Sequence, residues 1–127
     1  MRHQVLLALA CGAAIGATAT GALHAQKRPD AAYYFAEIDV KDVEADKKIL
    51  ARYPSPAEAF GGRYLTRGGK SATFDGEPPR RVILVAFDSL DSVRAWRSAA
   101  ATREFETARK AAGATILRAF AIEGSAP

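Results

Sequence analysis

"RVILVAF", residues 81–87, carries six apolar side chains in unbroken succession behind one arginine, between the turn-forming "DGEPPR" (75–80) and the polar pair Asp88-Ser89. A run this short, rich in branched residues and without polar alternation, reads as a strand covered on both faces, which places it centrally in its sheet. Upstream, "RYLTR" (63–67) reads as a second strand between the glycine pairs 61–62 and 68–69. Because successive side chains point to opposite faces, Arg63, Leu65 and Arg67 share one side and Tyr64 and Thr66 the other. "SATF" (71–74) is a further short strand candidate.

Downstream, Asp88 or Ser89 caps a helix whose Leu90, Val93 and Trp96 share a face, and after "SAAAT" (98–102) Phe105, Ala108 and Ala112 continue the pattern until Gly113. "ATILRAFAIE" (114–123) is a strand with Ile116, Arg118, Phe120 and Ile122 on one side. At the other end, "AYYFAEIDV" (32–40) alternates Tyr34, Ala36, Ile38 and Val40 against Tyr33, Phe35, Glu37 and Asp39. Asp42 then caps a helix with an apolar stripe of Val43, Ala45 or Asp46, Ile49, Leu50 and Tyr53, and Pro54 ends it. "SPAE" (55–58) has the order of a short capped helix, with Ser55 as N-cap and Glu58 completing a capping box.

The resulting order, β-α-β-β-α-β, predicts an α+β fold of the ferredoxin-like kind: an antiparallel sheet with its helices on one face. The other face, with Phe35, Leu65 and several branched residues, is too apolar to be left to water, so a second copy or a ligand is expected to cover it.

The chain of 127 residues, 49% apolar and 25% charged, has the composition of one folded domain, expected at 32–124. Residues 1–25 read as a secretory signal peptide, with a basic start, an apolar run "VLLALACGAAIGA" and a small-residue cleavage site ending at Ala25; 26–31 form a linker and 125–127 a tail. The alternatives are retention as a membrane span or lipidation at Cys11. Cleavage implies a periplasmic or secreted protein with no membrane contact thereafter. It also removes Cys11, Met1, His3 and His24, leaving a mature chain without Cys, His or Met. Disulfides and thiol nucleophiles are then excluded, transition metals lose their usual ligands, and no metal or cofactor is expected. A general base has to be Asp, Glu, Tyr or Lys. Removing Arg2 from the 18 basic residues leaves 17 against 14 acidic ones, and with no basic block nucleic acid is not an expected partner.

"GGRYLTRGGKS" (61–71) ends like a phosphate-binding loop, but the first glycine of that motif falls on Tyr64 and no helix is expected to follow. Nucleotide binding is not expected.

Taken together, "YYFAEIDVKD" (33–42), "GGRYLTRGG" (61–69), "PRRVILVAFDSLDSVRAW" (79–96) and "ILRAFAIEG" (116–124) resemble the bacterial family known as domain of unknown function 1330 over about residues 32–124. The resemblance implies a dimeric α/β barrel, a homodimer in which two sheets face each other around a cavity. Its superfamily includes cofactor-independent monooxygenases and small-molecule isomerases. In such a cavity Phe35, Arg63, Arg67 and Arg118 are the expected ligand contacts, and Glu37 the expected base with Arg67 as oxyanion partner. The competing structural reading pairs the two β-strand arginines with Glu37, Asp39 or Glu77, or Glu37 with Arg67 or Arg118. Trp96 is expected to pack in the core. Two functions follow: an exported homodimer binding a small polar or anionic molecule, with cofactor-independent proton-transfer or oxygenase-type chemistry, or a non-catalytic dimerising module.

Overall fold

The computed structural model describes residues 31–125; the expected leader, the linker apart from Ala31 and the tail apart from Ser125 lie outside them. The elements are β1 (Ala32–Val40), α1 (Val43–Arg52), a 3₁₀ turn (Glu58–Phe60), β2 (Arg63–Arg67), β3 (Arg81–Phe87), α2 (Leu90–Ser98), α3 (Ala100–Ala111) and β4 (Ala114–Glu123). The sheet order is β2-β3-β1-β4 with all neighbours antiparallel, the ferredoxin-like arrangement expected from the element order. The apolar run at 81–87 is an inner strand, as its composition requires.

Local chemistry sets the element ends. The Asp42 carboxylate accepts the Ala45 N–H at 2.9 Å and the Ser89 hydroxyl accepts the Ser92 N–H at 3.1 Å, each satisfying an orphan donor of a first helical turn. Gly113 (φ 90°) takes the left-handed conformation that turns α3 into β4. The helical stretch after β3 is broken in two where Ala99 adopts an extended backbone.

Tyr34, Ala36 and Ile38 of β1 pack with Val85 and Phe87 of β3 beneath Val93 and Trp96 of α2. Trp96 meets the Tyr34 ring edge-on at 4.7 Å and the Phe87 ring at 5.2 Å, so its expected core role holds. Gly62 permits the close passage under this cluster, since a Cβ there would lie 2.7 Å from the Ala57 carbonyl oxygen and 2.8 Å from the Phe87 ring.

Four expectations are corrected. Residues 71–74 form no strand: β2 and β3 pair directly with each other across the 68–80 loop, "SATF" pairs with neither, and Phe74 stands 91% exposed. Ser55 caps no helix, because its hydroxyl bonds the Tyr64 hydroxyl at 2.5 Å and the 3₁₀ turn starts without a side-chain cap. The centre of the α1 stripe is Asp46, buried through its ion pair with Arg109, while Val43 and Leu50 remain exposed. Finally, strict alternation fails on both edge strands. In β2, Tyr64 and Thr66 face successive residues of β3, Val85 and Leu84, leaving Leu65 as a bulge; in β4, Arg118 and Ile116 face successive residues of β1, leaving Leu117. Each bulge returns the following residues to the opposite phase. Arg67 therefore lies opposite Ile83 on the helix side while Arg63 lies opposite Ala86 on the open side, and Ile116 leaves the face of Arg118, Phe120 and Ile122.

Candidate functional site

The two faces of the sheet divide the residues singled out in the sequence. On the open face Phe35 stacks on Phe120 at 5.1 Å, and the Arg118 guanidinium lies 5.5 Å from the Phe35 ring. Glu37, opposite Arg118 in register, accepts the Arg80 backbone N–H at 2.8 Å and stands 3.8 Å from Arg118 Nε. The anticipated pairing of Glu37 with Arg118 is thus present, and both Glu37 oxygens have partners. Arg63 also belongs to this face, whereas Arg67 does not. Phe35, Glu37 and Arg67 do not converge on one pocket.

Arg67 instead joins a hollow of about 120 Å³ between the sheet and its helices. Tyr34, Ala36 and Ile38 of β1 form part of its floor, Trp96 of α2 and Phe105 of α3 wall it, and Leu50 and Tyr53 close it from the α1 side. Polar groups enter at defined points. The Arg67 guanidinium lies 3.7 Å from the centre of the Tyr64 ring, the geometry of a cation–π contact, and reaches Glu58 at 3.3 Å on the surface. Arg81 donates to the Arg67 carbonyl oxygen at 2.9 Å; its Nε is buried with no acceptor, and none of the ion pairs among the described residues involves it. Glu106 is paired with Arg97, and Arg109 with Asp46. The Trp96 indole N–H is likewise buried without an acceptor. The lining therefore combines aromatic walls, a tyrosine hydroxyl and hydrogen-bond donors in excess of acceptors.

Burial holds the Tyr34 hydroxyl above its ordinary pKa of 10, and the Arg97 guanidinium partly opposes the rise. Tyr34 is accordingly a proton-bearing donor at neutral pH. Its folded state keeps the proton where the unfolded chain loses it, so stability falls as pH rises through 10 and onward to the folded value. Unfolding titrations are expected to show this alkaline loss in the wild type and less of it in Tyr34→Phe; identical limbs would refute it.

The sequence reading passed over Tyr34, Trp96 and Arg81 as core or strand-end residues. The available signal was chemical: a hydroxyl at an inward position of β1, and an arginine leading an apolar run. No described group of three His, Cys, Asp or Glu side chains is placed to hold a metal ion, and no described helix is long and apolar enough to cross a membrane.

The sequence model of the family described as "Domain of unknown function (DUF1330)" matches residues 31–125. No curated protein matches the chain. Among solved structures, a protein of unknown function from Rhodopseudomonas palustris is similar with a TM-score of 0.57 and 15% identity, over 84% of this chain and 92% of that one. The methylated form of that protein gives a TM-score of 0.52 and 13% identity, over 79% and 84%. SnoaB, a cofactor-independent oxygenase from Streptomyces nogalater, gives a TM-score of 0.49 and 16% identity, over 77% and 96%. At such identities the likeness to the Rhodopseudomonas palustris protein speaks for the fold alone.

Proposed function

The chain belongs to the DUF1330 family, and from the chemistry of its own hollow we propose that it binds a small, ring-bearing molecule with polar oxygen substituents beneath its helices. The observation that carries this reading is the aromatic-walled space of about 120 Å³ whose lining includes Arg81 and Trp96, each with a buried N–H that has no acceptor, and Tyr34, whose hydroxyl keeps its proton. A dry cavity of roughly 150 Å³ takes up benzene, so this space suits a single ring. The flat faces of Tyr64, Trp96 and Phe105 favour a planar one. A carbonyl or enolate oxygen on that ring receives the Tyr34 proton as a hydrogen bond, which stabilises negative charge developing on the oxygen. This moves the expected binding space from between two sheets to beneath one subunit's own helices.

The test is calorimetric titration of the full chain with acetophenone. One saturable site is expected, with a matching change in emission from Trp96, the protein's only tryptophan. Loss of one hydrogen bond, about 0.5–1.5 kcal/mol, predicts binding to Tyr34→Phe weaker by roughly 2–10-fold. Absence of a saturable site, or equal affinity in the variant, removes the reading.

We also propose that a second copy covers the open face. Phe120, Ile122 and Leu65 leave apolar surface there, and the face bears both signs of charge, Glu37 and Asp39 against Arg63 and Arg118. A two-fold axis brings like surfaces together, and a face with both signs can complement itself.

A further inference from the structure

A second hollow, an open cleft of about 440 Å³, lies at the end of the β2–β3 pair and is lined by Arg67, Arg80 and Arg81 together with Gly68, Gly69 and Ser71. No acidic residue lines it. Arg67 and Arg81 line the inner hollow as well, so the two spaces share a wall built by these two residues. Gly68 (φ 91°) and Gly69 (φ 128°) fold the chain tightly here, and a Cβ on Gly68 would come within 3.1 Å of Arg81 Nε. No described backbone carbonyl accepts from the N–H groups of Gly69, Lys70 or Ser71. Glu58 offsets part of the charge at Arg67, but among the described residues no carboxylate pairs with the Arg80 or Arg81 guanidinium, although Glu37 accepts the Arg80 backbone N–H.

Planar guanidiniums beside free backbone N–H groups recognise oxyacid anions, each donor pair matching two oxygens. We propose that the cleft seats a carboxylate or phosphate carried by the same ligand whose ring fills the inner hollow. This deepens the binding function proposed above and rests on it. The ligand class is thereby narrowed to a single ring joined by a short chain to an oxyanion. The Gly-Lys-Ser segment, which lacks the following helix of a phosphate-binding loop, supplies loop N–H groups to an arginine site instead.

The test compares three compounds that share one ring and chain: 3-phenylpropanol, 3-phenylpropanoate and 3-phenylpropyl phosphate. Each is titrated by calorimetry into the full chain and into Arg80→Ala, whose side chain lines the cleft but not the inner hollow. At least one anionic compound is expected to bind tenfold or more tightly than the alcohol, which of the two telling carboxylate from phosphate. That preference should shrink several-fold in Arg80→Ala and with added salt, while the alcohol binds both proteins alike. Equal affinities for alcohol and anions in the wild type overturn the cleft assignment and leave the inner site standing. An equal loss for all three compounds in Arg80→Ala overturns it too, because the substitution has then disturbed the ring site. Failure of acetophenone and all three compounds to bind overturns both readings.

Discussion

Replacing Asp46 with alanine is expected to cost about 3–5 kcal/mol of folding stability, the range found when one partner of a buried ion pair is removed. Asp46 is 1% exposed and accepts two hydrogen bonds from Arg109, at 2.7 Å from Nε and 2.8 Å from Nη2. Without the carboxylate the guanidinium stays largely buried with no counter-charge, and the desolvation it underwent on folding is no longer offset. Against the 5–15 kcal/mol that typically separates folded from unfolded domains, that is a large fraction. Urea unfolding of the variant checks it directly, through a lowered midpoint at unchanged slope. The double variant Asp46→Leu with Arg109→Met is expected to recover most of the loss, since hydrophobic side chains of similar volume replace such pairs at little cost. A single-variant loss under about 1 kcal/mol would instead match an exposed pair. The pair ties α1 to α3 across the chain, and both helices border the inner hollow. Asp46→Ala should therefore weaken acetophenone binding as well, whereas the double variant restores it.

Asp46 also shows what a sequence pattern conveys. The spacing of Val43, Ile49 and Leu50 left the stripe position open between Ala45 and Asp46, and the partner that decides it lies 63 residues away and has no local signature. Elements governed by near neighbours were readable: the run at 81–87, the caps Asp42 and Ser89, the terminator Gly113, and the order that gives the sheet its topology. The faces of β1 were readable too, since it keeps a regular pleat, whereas the unbroken apolar run of β3 gave no faces and most of that strand is only half-buried in the single chain. Side-chain direction on the edge strands was not. A bulge inserts a residue without any change of composition, and Leu65 and Leu117 look like ordinary strand leucines. That one shift transfers Arg67 from the open face to the inner hollow, and so divides the candidate cluster. Phe35, Glu37 and Arg118 do share one face, because they lie in β1 before its register shift and in the part of β4 that faces it.

Replacing Phe120 with glutamate is expected to convert the proposed dimer into a folded monomer. The side chain is 49% exposed in the single chain, so the substitution forfeits its stack on Phe35 but leaves the buried core intact, and circular dichroism should show the fold retained. In the proposed dimer the two-fold axis places two copies of Phe120 in one interface, each stacked on its own Phe35. Completing the burial of a half-exposed Phe is worth about half of the roughly 1.5–3 kcal/mol assigned to full burial. Two copies, together with the desolvation of two carboxylates placed near Glu37, bring the loss to at least about 3 kcal/mol, or roughly a hundredfold in the dissociation constant. Sedimentation equilibrium at micromolar concentration reads this as a halving of mass. Phe74, equally apolar and more exposed, lies on the 68–80 loop rather than in the sheet, so Phe74→Glu is expected to leave the mass unchanged. A dimer that survives Phe120→Glu but dissociates with Phe74→Glu assembles through the loop, and the open face then needs another cover. A wild-type monomer whose open face stays in water removes the second copy altogether, yet leaves the inner hollow and its arginine cleft intact, because both are built within one subunit.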